Sequence, residues 1–140
     1  MIRDKLDQNI LQELILFTRK LNDECKNGAL VVVEGQRDAK ALESIGFKGD
    51  LFLLCHNESL VKLASKAEEY KKIILLLDFD KKGRILTKKA AMILQEKRGK
   101  IDLFFRKELS KVCKGRIKHV EELSKFGDYL QSLAYLVYLQ

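Results

Sequence analysis

The sequence contains no proline and only three cysteines in 140 residues. Cys25, Cys55 and Cys113 lie far apart and form no CxxC pair, so they indicate neither a zinc site nor a disulfide framework. Without proline there is also no proline-rich linker that would divide the chain. We therefore expect one domain over residues 1–140, with three reduced thiols.

Long apolar runs are also missing. The longest one near the C-terminus covers residues 133–139, well short of the roughly 20 residues that a membrane-spanning helix needs. Charged side chains interrupt the apolar positions at the N-terminus, a pattern unlike that of a signal peptide. We expect a soluble cytoplasmic protein with no membrane partner.

The charge is biased towards basic residues. Lysine and arginine number 27 against 20 acidic residues, which gives a net charge of +7, and 46% of the residues are hydrophobic. The basic excess favours a polyanionic partner such as RNA or DNA. A lysine-rich solvated surface, as in heat-adapted proteins, explains it equally well.

Apolar periodicity predicts an alternation of helices and strands. An amphipathic helix is predicted over 2–25, within an N-terminal helical segment of residues 1–27. The predicted strands are 30–33, 51–54, 73–77 and 101–105. The predicted helices between them are 37–45, 58–71 with Asn57 as its cap, and 84–97. This order predicts an α/β fold, with a mostly parallel four-stranded sheet and helices on both faces.

The pattern is weaker after Phe105. We expect a short helix over 106–112, a short strand over 116–120 and one or two helices over 121–139. Residues 107–140 would then form a C-terminal helical extension. We expect its apolar face to pack on the sheet or the first helix rather than on a second copy, and the choice between a monomer and a weak dimer stays open.

Two aliphatic strands end at carboxylates. Three valines precede Glu34, and the run 73–77 precedes Asp78 and Asp80. Because the carboxyl ends of parallel strands meet at one edge of a sheet, we expect these three acids to share a crevice. Clustered carboxylates repel one another unless a cation lies among them, and Mg²⁺ (or Mn²⁺) prefers oxygen ligands.

The two aspartates require a turn to converge. On a continuing strand, Asp78 and Asp80 would point to opposite faces, so the strand has to end at Asp78. We expect Gly83 to begin the following helix and to direct backbone N–H groups towards a substrate phosphate. The basic residues expected to contact the substrate at this turn are Lys81, Lys82 and Arg84.

Gly35 and Asp38 accompany Glu34. Gly35 permits the tight turn after the first strand. Asp38 has two interpretations that the sequence leaves open. It either supports the site by holding Arg37 or Lys40 or through water, or it is an ordinary acid at a helix N-terminus.

Arg106 follows the fourth predicted strand at the same edge of the sheet. It could bind a substrate phosphate or form a surface ion pair with Glu108, and the sequence favours neither. His56, at the end of the second predicted strand, is interpreted as a local hydrogen-bonding residue. His119 receives no role.

The two acidic motifs resemble those of the toprim domain. That family, which includes primases, topoisomerases, recombination mediators and ribosomal-RNA-maturing nucleases, has a glutamate after the first strand and a DxD after the third. Residues 32–42 and 76–84 are similar to these motifs, and the resemblance covers residues 28–106. It implies a Rossmann-like fold in which Asp78 and Asp80 bind magnesium and Glu34 acts as general acid or base or binds a second metal.

Within the family, the chain is most similar to small stand-alone toprim proteins of archaea and bacteria. Phe79 and the residues 81–83 differ from the topoisomerase form of the motif, which argues against strand passage. The resemblance implies a magnesium-dependent nuclease acting on structured RNA or DNA, or a non-catalytic nucleic-acid-binding adaptor. Residues 75–80 also resemble the first motif of haloacid-dehalogenase phosphatases, but Lys82 stands where that family has Thr or Val.

Overall fold

The computed structural model describes residues 5–55 and 58–139, with the backbone alone for residues 58, 97–99 and 135–139. His56 and the predicted cap Asn57 lie outside the described residues.

Helices and strands alternate along the chain, as the sequence pattern predicts. The strands are β1 (Ala29–Val33), β2 (Leu51–Leu53), β3 (Lys72–Leu75) and β4 (Ile101–Asp102). The α-helices are α1 (Lys5–Lys26), α2 (Gln36–Ser44), α3 (Glu58–Lys66), α4 (Lys81–Ile93), α5 (Phe104–Cys113) and α6 (Ser124–Leu139). Short 3₁₀ helices cover Ala67–Glu69, Gln95–Lys100 and Val120–Leu123.

The four strands form one all-parallel sheet in the order β2-β1-β3-β4. Val31 of β1 is in register with Leu51 of β2 on one side and with Ile74 of β3 on the other. β1 and β3 are therefore the central neighbours, and their carboxyl ends lie side by side. This confirms the predicted α/β class and brings the two acidic motifs to the same edge.

Alternate residues of the central strands bury opposite faces of the sheet. Val31 and Ile74 belong to an apolar cluster with residues of α1, α2, α5 and α6. Leu30 and Ile73 belong to a second cluster with residues of α3 and α4. Both faces are thus covered by helices, which is why the strands are apolar at successive positions.

The turn after β3 starts earlier than the sequence predicts. β3 ends at Leu75 rather than at residue 77, and α4 begins at Lys81 rather than at residue 84. The Asp80 side chain caps α4, because its Oδ1 accepts the Gly83 N–H at 2.8 Å. The first three residues after Asp80 are therefore helical.

The predicted fourth strand is also too long. β4 has two residues, because Asp102 Oδ1 accepts the Phe105 N–H at 3.2 Å and α5 begins at Phe104. Arg106 therefore projects from a helix and does not directly follow a strand.

The predicted strand over 116–120 is wrong. Residues 117–122, here called the strap, form a loop and part of a 3₁₀ helix that crosses the carboxyl ends of β1 and β3. Ile117 and Val120 are buried, three positions apart, which is not the spacing of a strand. Instead of pairing in the sheet, the strap accepts the Phe79 N–H at the Lys118 carbonyl, at 2.8 Å.

The last helix packs mainly against α2, and its Phe126 belongs to the apolar cluster that also contains residues of α1 and of the sheet. Phe126 is fully buried, whereas Leu133 is exposed. Among the described helices, none combines the length and the apolar character that a bilayer span requires.

Candidate metal centre

Asp78 is the central carboxylate of the site. It lies three residues beyond β3, and only 7% of its surface is exposed. Its Oδ1 accepts the backbone N–H of Val120 in the strap at 2.7 Å. Burial raises the pKa of Asp78, although this hydrogen bond opposes the shift. Burying the ionised Asp78 carboxylate costs free energy, and a bound cation would offset that cost.

Asp80 faces both α4 and the strap. One of its oxygens holds the Gly83 N–H, and the other lies 2.9 Å from Nε2 of His119. The Gly83 N–H and the hydrogen bond with His119 together lower the pKa of Asp80. The same contact with Asp80, opposed by burial, raises the pKa of His119. Asp80 is therefore ionised at neutral pH and available as a ligand.

Three side chains can hold one metal ion. One ligand atom from each of Asp78, Asp80 and His119 lies within 4.8 Å of the other two. Two carboxylates suit Mg²⁺ and Mn²⁺, and the added imidazole suits Mn²⁺ and later transition metals better than Mg²⁺. The donor set therefore fits the divalent cation that the two aspartates predict.

His119 is a site residue that the sequence did not reveal. It lies 39 residues from Asp80 and reaches it only because the strap crosses the sheet edge. Glu122 fixes the strap locally, because its Oε2 accepts the N–H groups of Lys118 and His119, both at 2.8 Å. A capping pair of this kind, with an acid three residues after the cap, was the available sequence signal.

Glu34 lies next to Asp78 and outside this group of three possible ligands. The two side chains share a hydrogen bond. Burial, followed by the charges of Asp78 and Asp38, raises the pKa of Glu34 to about 7. Its Oε1 is buried and has no hydrogen-bond partner among the described residues. Glu34 can therefore hold a proton near neutral pH, and it retains an oxygen for a water molecule or a cation.

This proton should make the metal-free protein less stable as the pH rises. Glu34 binds its proton more tightly in the folded chain than at the ordinary pKa of 4.5, so its contribution is complete below that value and is lost through about pH 7. Because the side chain is partly solvated, we expect a loss of about 1–2 kcal/mol between pH 5 and 8. His119, whose pKa is also raised, acts in the same direction.

Urea unfolding in EDTA at several pH values measures this slope. The Glu34→Gln variant should show a flatter dependence, because it carries no titrating proton. An equal slope in both proteins would contradict the assigned protonation of Glu34.

Asp38 forms the local hydrogen bonds of a helix N-terminal acid, and its support of the site stays a prediction. Its Oδ2 accepts the Gly35 N–H at 3.0 Å at the start of α2. Its carboxylate also accepts the Glu121 N–H of the strap. Asp38 thus joins the loop after Glu34 to the strap, and Gly35 is the N-cap of α2 rather than a residue with positive φ.

The basic residues of the second motif lie at the beginning of α4. The side chains of Lys81, Lys82 and Arg84 are exposed there, and Arg84 Nη1 donates to the Phe79 carbonyl at 3.1 Å. The Gly83 N–H donates to Asp80, and binding of a phosphate by other backbone N–H groups at the start of α4 stays a prediction.

Arg106 binds the backbone of the turn that contains Asp78. Its Nε donates to the Leu77 carbonyl at 3.0 Å and its Nη2 to the Asp78 carbonyl at 2.6 Å. The guanidinium thus holds the turn that presents Asp78, a contact that neither of the two sequence interpretations of Arg106 includes. Phosphate binding by Arg106 stays a prediction.

A cavity of about 370 Å³ lies beside the acids at the end of β1. Its lining residues are Glu34, Gly35, Gln36, Arg37, Asp38, Cys55, Asp78 and Glu121. A substrate in this cavity would touch Glu34 and Asp78 together.

The sequence model of the toprim domain matches residues 29–122, which include both acidic motifs and the strap. The chain belongs to the toprim domain family. Membership implies a metal-dependent function related to nucleic acids, and the cluster of Asp78, Asp80 and His119 agrees with metal binding.

Archaeal relatives of similar size cover most of this chain. A UPF0292 protein of Thermococcus sibiricus is 35% identical over 86% of this chain and 89% of its own length. A UPF0292 protein of Thermococcus gammatolerans is 38% identical over 74% of this chain and 75% of its own. Both relatives are of similar size to this chain, and their names give no reaction.

A solved structure has a similar fold. The putative protein from Aquifex aeolicus superimposes with a TM-score of 0.64 at 29% identity, covering 80% of this chain and 96% of that one.

Proposed function

We propose that this toprim protein is a divalent-metal-dependent nuclease that hydrolyses phosphodiester bonds in structured RNA or in DNA. The observation that carries the proposal is the contact between Glu34, which can carry a proton, and Asp78, which can bind a metal ion. Glu34, with a pKa of about 7, touches Asp78, which belongs to the group that can hold a metal ion. An acid–base group next to a metal site is the arrangement that phosphodiester hydrolysis needs.

Asp78, Asp80 and His119 would hold the ion, Mg²⁺ or Mn²⁺. When bound, it supplies charge stabilisation at a phosphoryl oxygen and lowers the pKa of a coordinated water molecule. The protein supplies the fixed positions: the Val120 N–H orients Asp78, and the Gly83 N–H orients Asp80.

Glu34 carries the proton in this proposal. A group with a pKa near the working pH can both accept and release a proton in the same cycle. Its position in the cavity suits removal of a proton from attacking water or protonation of the leaving oxygen. Lys81, Lys82 and Arg84 would bind phosphates of the substrate backbone.

The toprim match leaves the haloacid-dehalogenase interpretation without support. Asp78 would be the nucleophile of such a phosphatase, yet it is buried and one of its oxygens accepts the Val120 N–H.

Cleavage of labelled substrates tests the proposal. A structured RNA, a single-stranded DNA and a duplex DNA are incubated with the protein and Mg²⁺ or Mn²⁺, beside EDTA and the Glu34→Gln variant. We expect cleavage in metal that EDTA abolishes and that Glu34→Gln strongly reduces. Binding without cleavage, unchanged in Glu34→Gln, would support the adaptor function and refute the nuclease. Phosphate release from a small ester, unaffected by Glu34→Gln, would support a phosphatase.

His119 should contribute a nitrogen ligand to bound Mn²⁺. We expect the His119→Gln variant to bind Mn²⁺ at least roughly tenfold more weakly, with a smaller loss for Mg²⁺. Calorimetry measures the affinities, and pulsed electron paramagnetic resonance detects ¹⁴N coupling to Mn²⁺ directly. The matched control is His56→Gln, which changes the other histidine of the chain. A ¹⁴N coupling that persists in His119→Gln would show that this residue is not a ligand.

A further inference from the structure

The exposed face of α4 combines positive charge with apolar surface. Between Lys81 and Ile93, this helix carries five basic residues and no acidic one. All five basic side chains are exposed: Lys81, Lys82, Arg84, Lys88 and Lys89. The charge therefore continues beyond the first turn, where it adjoins the metal site, along the outside of the helix.

The apolar residues lie in the middle of this face. Ile85 is 48% exposed and Met92 is 63% exposed. They are seven residues apart, roughly two helical turns, so they lie one above the other. Helical geometry places Arg84 and Lys88 on one side of this pair and Lys89 on the other. The exposed face is an apolar ridge between two basic rows.

The opposite face of α4 packs on the protein, and Ile93 at the end of the helix is 40% exposed. Gly83, Thr87 and Ala90 are buried, and Leu86 packs with the second apolar cluster of the core. An ordinary solvent-facing helix would mix acidic with basic residues and would not expose Ile85 and Met92 at its centre. The composition of the outer face thus indicates a partner rather than solvent alone.

We propose that the outer face of α4 binds the sugar–phosphate backbone of a nucleic acid and directs that strand into the metal centre. Charge complementarity selects this occupant, because five cations without an anion match a regular row of phosphates. The apolar ridge matches sugars and base edges between those phosphates. α4 is roughly 20 Å long, which corresponds to about six base steps. The partner class rests on the proposed function.

The position of α4 defines the path of the bound nucleic-acid backbone relative to the metal centre. Asp80, one of the possible metal ligands, is the N-cap of α4. A backbone that follows the helix axis therefore passes from Lys88 and Lys89, past Arg84, to the carboxylates. α4 would act as a binding track that precedes the cleavage position, without taking part in proton transfer.

Binding measurements at several salt concentrations test the track. Fluorescence anisotropy of labelled 20-base-pair DNA and RNA duplexes is recorded with EDTA, which prevents cleavage. The Lys88→Gln/Lys89→Gln variant removes two cations from α4 and keeps helix propensity. The matched control, Arg19→Gln/Lys20→Gln, removes two exposed, adjacent cations from α1, which packs in the apolar cluster on the other face of the sheet.

We expect the α4 variant to bind roughly tenfold more weakly at 0.1 M salt, with a salt slope smaller by up to about 2. The control should bind as the unchanged protein does. Ile85→Ala/Met92→Ala should lower affinity without changing the salt slope, because no charge is removed. The DNA and RNA arms identify which backbone is preferred.

Equal losses in the α4 variant and the α1 control would overturn the proposal, because net charge alone would then explain binding. Loss of binding to anionic phospholipid vesicles, with nucleic-acid affinity unchanged, would overturn it in favour of a lipid surface. The proposed nuclease function fails separately: a protein that binds through α4 but cleaves nothing refutes that function and retains this inference.

Discussion

The Asp80→Asn variant is expected to lose metal-dependent cleavage by roughly 10³-fold while remaining folded. Removing one charged ligand weakens binding of the metal ion. Stabilisation of the transition state by a metal is worth several kcal/mol. The asparagine oxygen can still accept the Gly83 N–H, so the cap of α4 is kept. The free energy of unfolding should therefore change by less than about 1 kcal/mol in EDTA. Cleavage rates, Mn²⁺ titration and urea unfolding measure the three quantities.

Asp128→Asn is the matched control for this substitution. It makes the same change of charge at an exposed aspartate of α6, and both cleavage and Mn²⁺ affinity should stay as in the unchanged protein. An Asp80→Asn protein that cleaves normally, or one that is inactive because it is unfolded, would refute the role given to Asp80.

Gly83→Ala is expected to destabilise the protein by about 2 kcal/mol and to weaken metal binding by at least roughly tenfold. A Cβ at this position would meet the carbonyl group and Cα of Asp78, which are backbone atoms and cannot rotate away. Alanine would gain about 1 kcal/mol of helix propensity, but the overlap costs more. Relief requires α4 to move away from Asp78, and that movement separates Asp80 from it.

Thermal unfolding and Mn²⁺ calorimetry measure the two effects of Gly83→Ala. The comparison is Gly35→Ala, where an added Cβ has no atom within 4 Å. The free energy of unfolding of Gly35→Ala should fall only by the cost of a poorer N-cap, about 1 kcal/mol or less. Equal stability and equal metal affinity in Gly83→Ala and the unchanged protein would show that α4 does not need this close approach.

Much of the fold could be predicted because the strands are aliphatic runs that stop at polar residues. The valines before Glu34 and the run before Asp78 predict two central parallel strands, and parallel strands bring their last residues to one edge. The predicted helix boundaries were wrong where a side chain caps the start of a helix. Asp80 starts α4 early, and Asp102 starts α5 early.

The strap could not be predicted from periodicity. Its buried residues are Ile117 and Val120, three positions apart, and its backbone hydrogen bonds go to Phe79 and to the Asp78 carboxylate. Nothing local in the sequence encodes such long-range partners. His119 has no role in the sequence analysis for the same reason, and the contacts of Arg106 with the Leu77 and Asp78 carbonyls could not be predicted because these partners lie 29 and 28 residues away.

The strap also sets the order in which the site can be completed during synthesis. Asp38, Asp78 and Asp80 all take hydrogen-bond partners from residues 119–121, which leave the ribosome after every strand of the sheet. A nascent or truncated chain that ends before this point leaves these carboxylates without those partners. A chain that ends before the strap therefore lacks the His119 side chain and the backbone N–H groups that orient Asp38 and Asp78, so its acidic centre is incomplete.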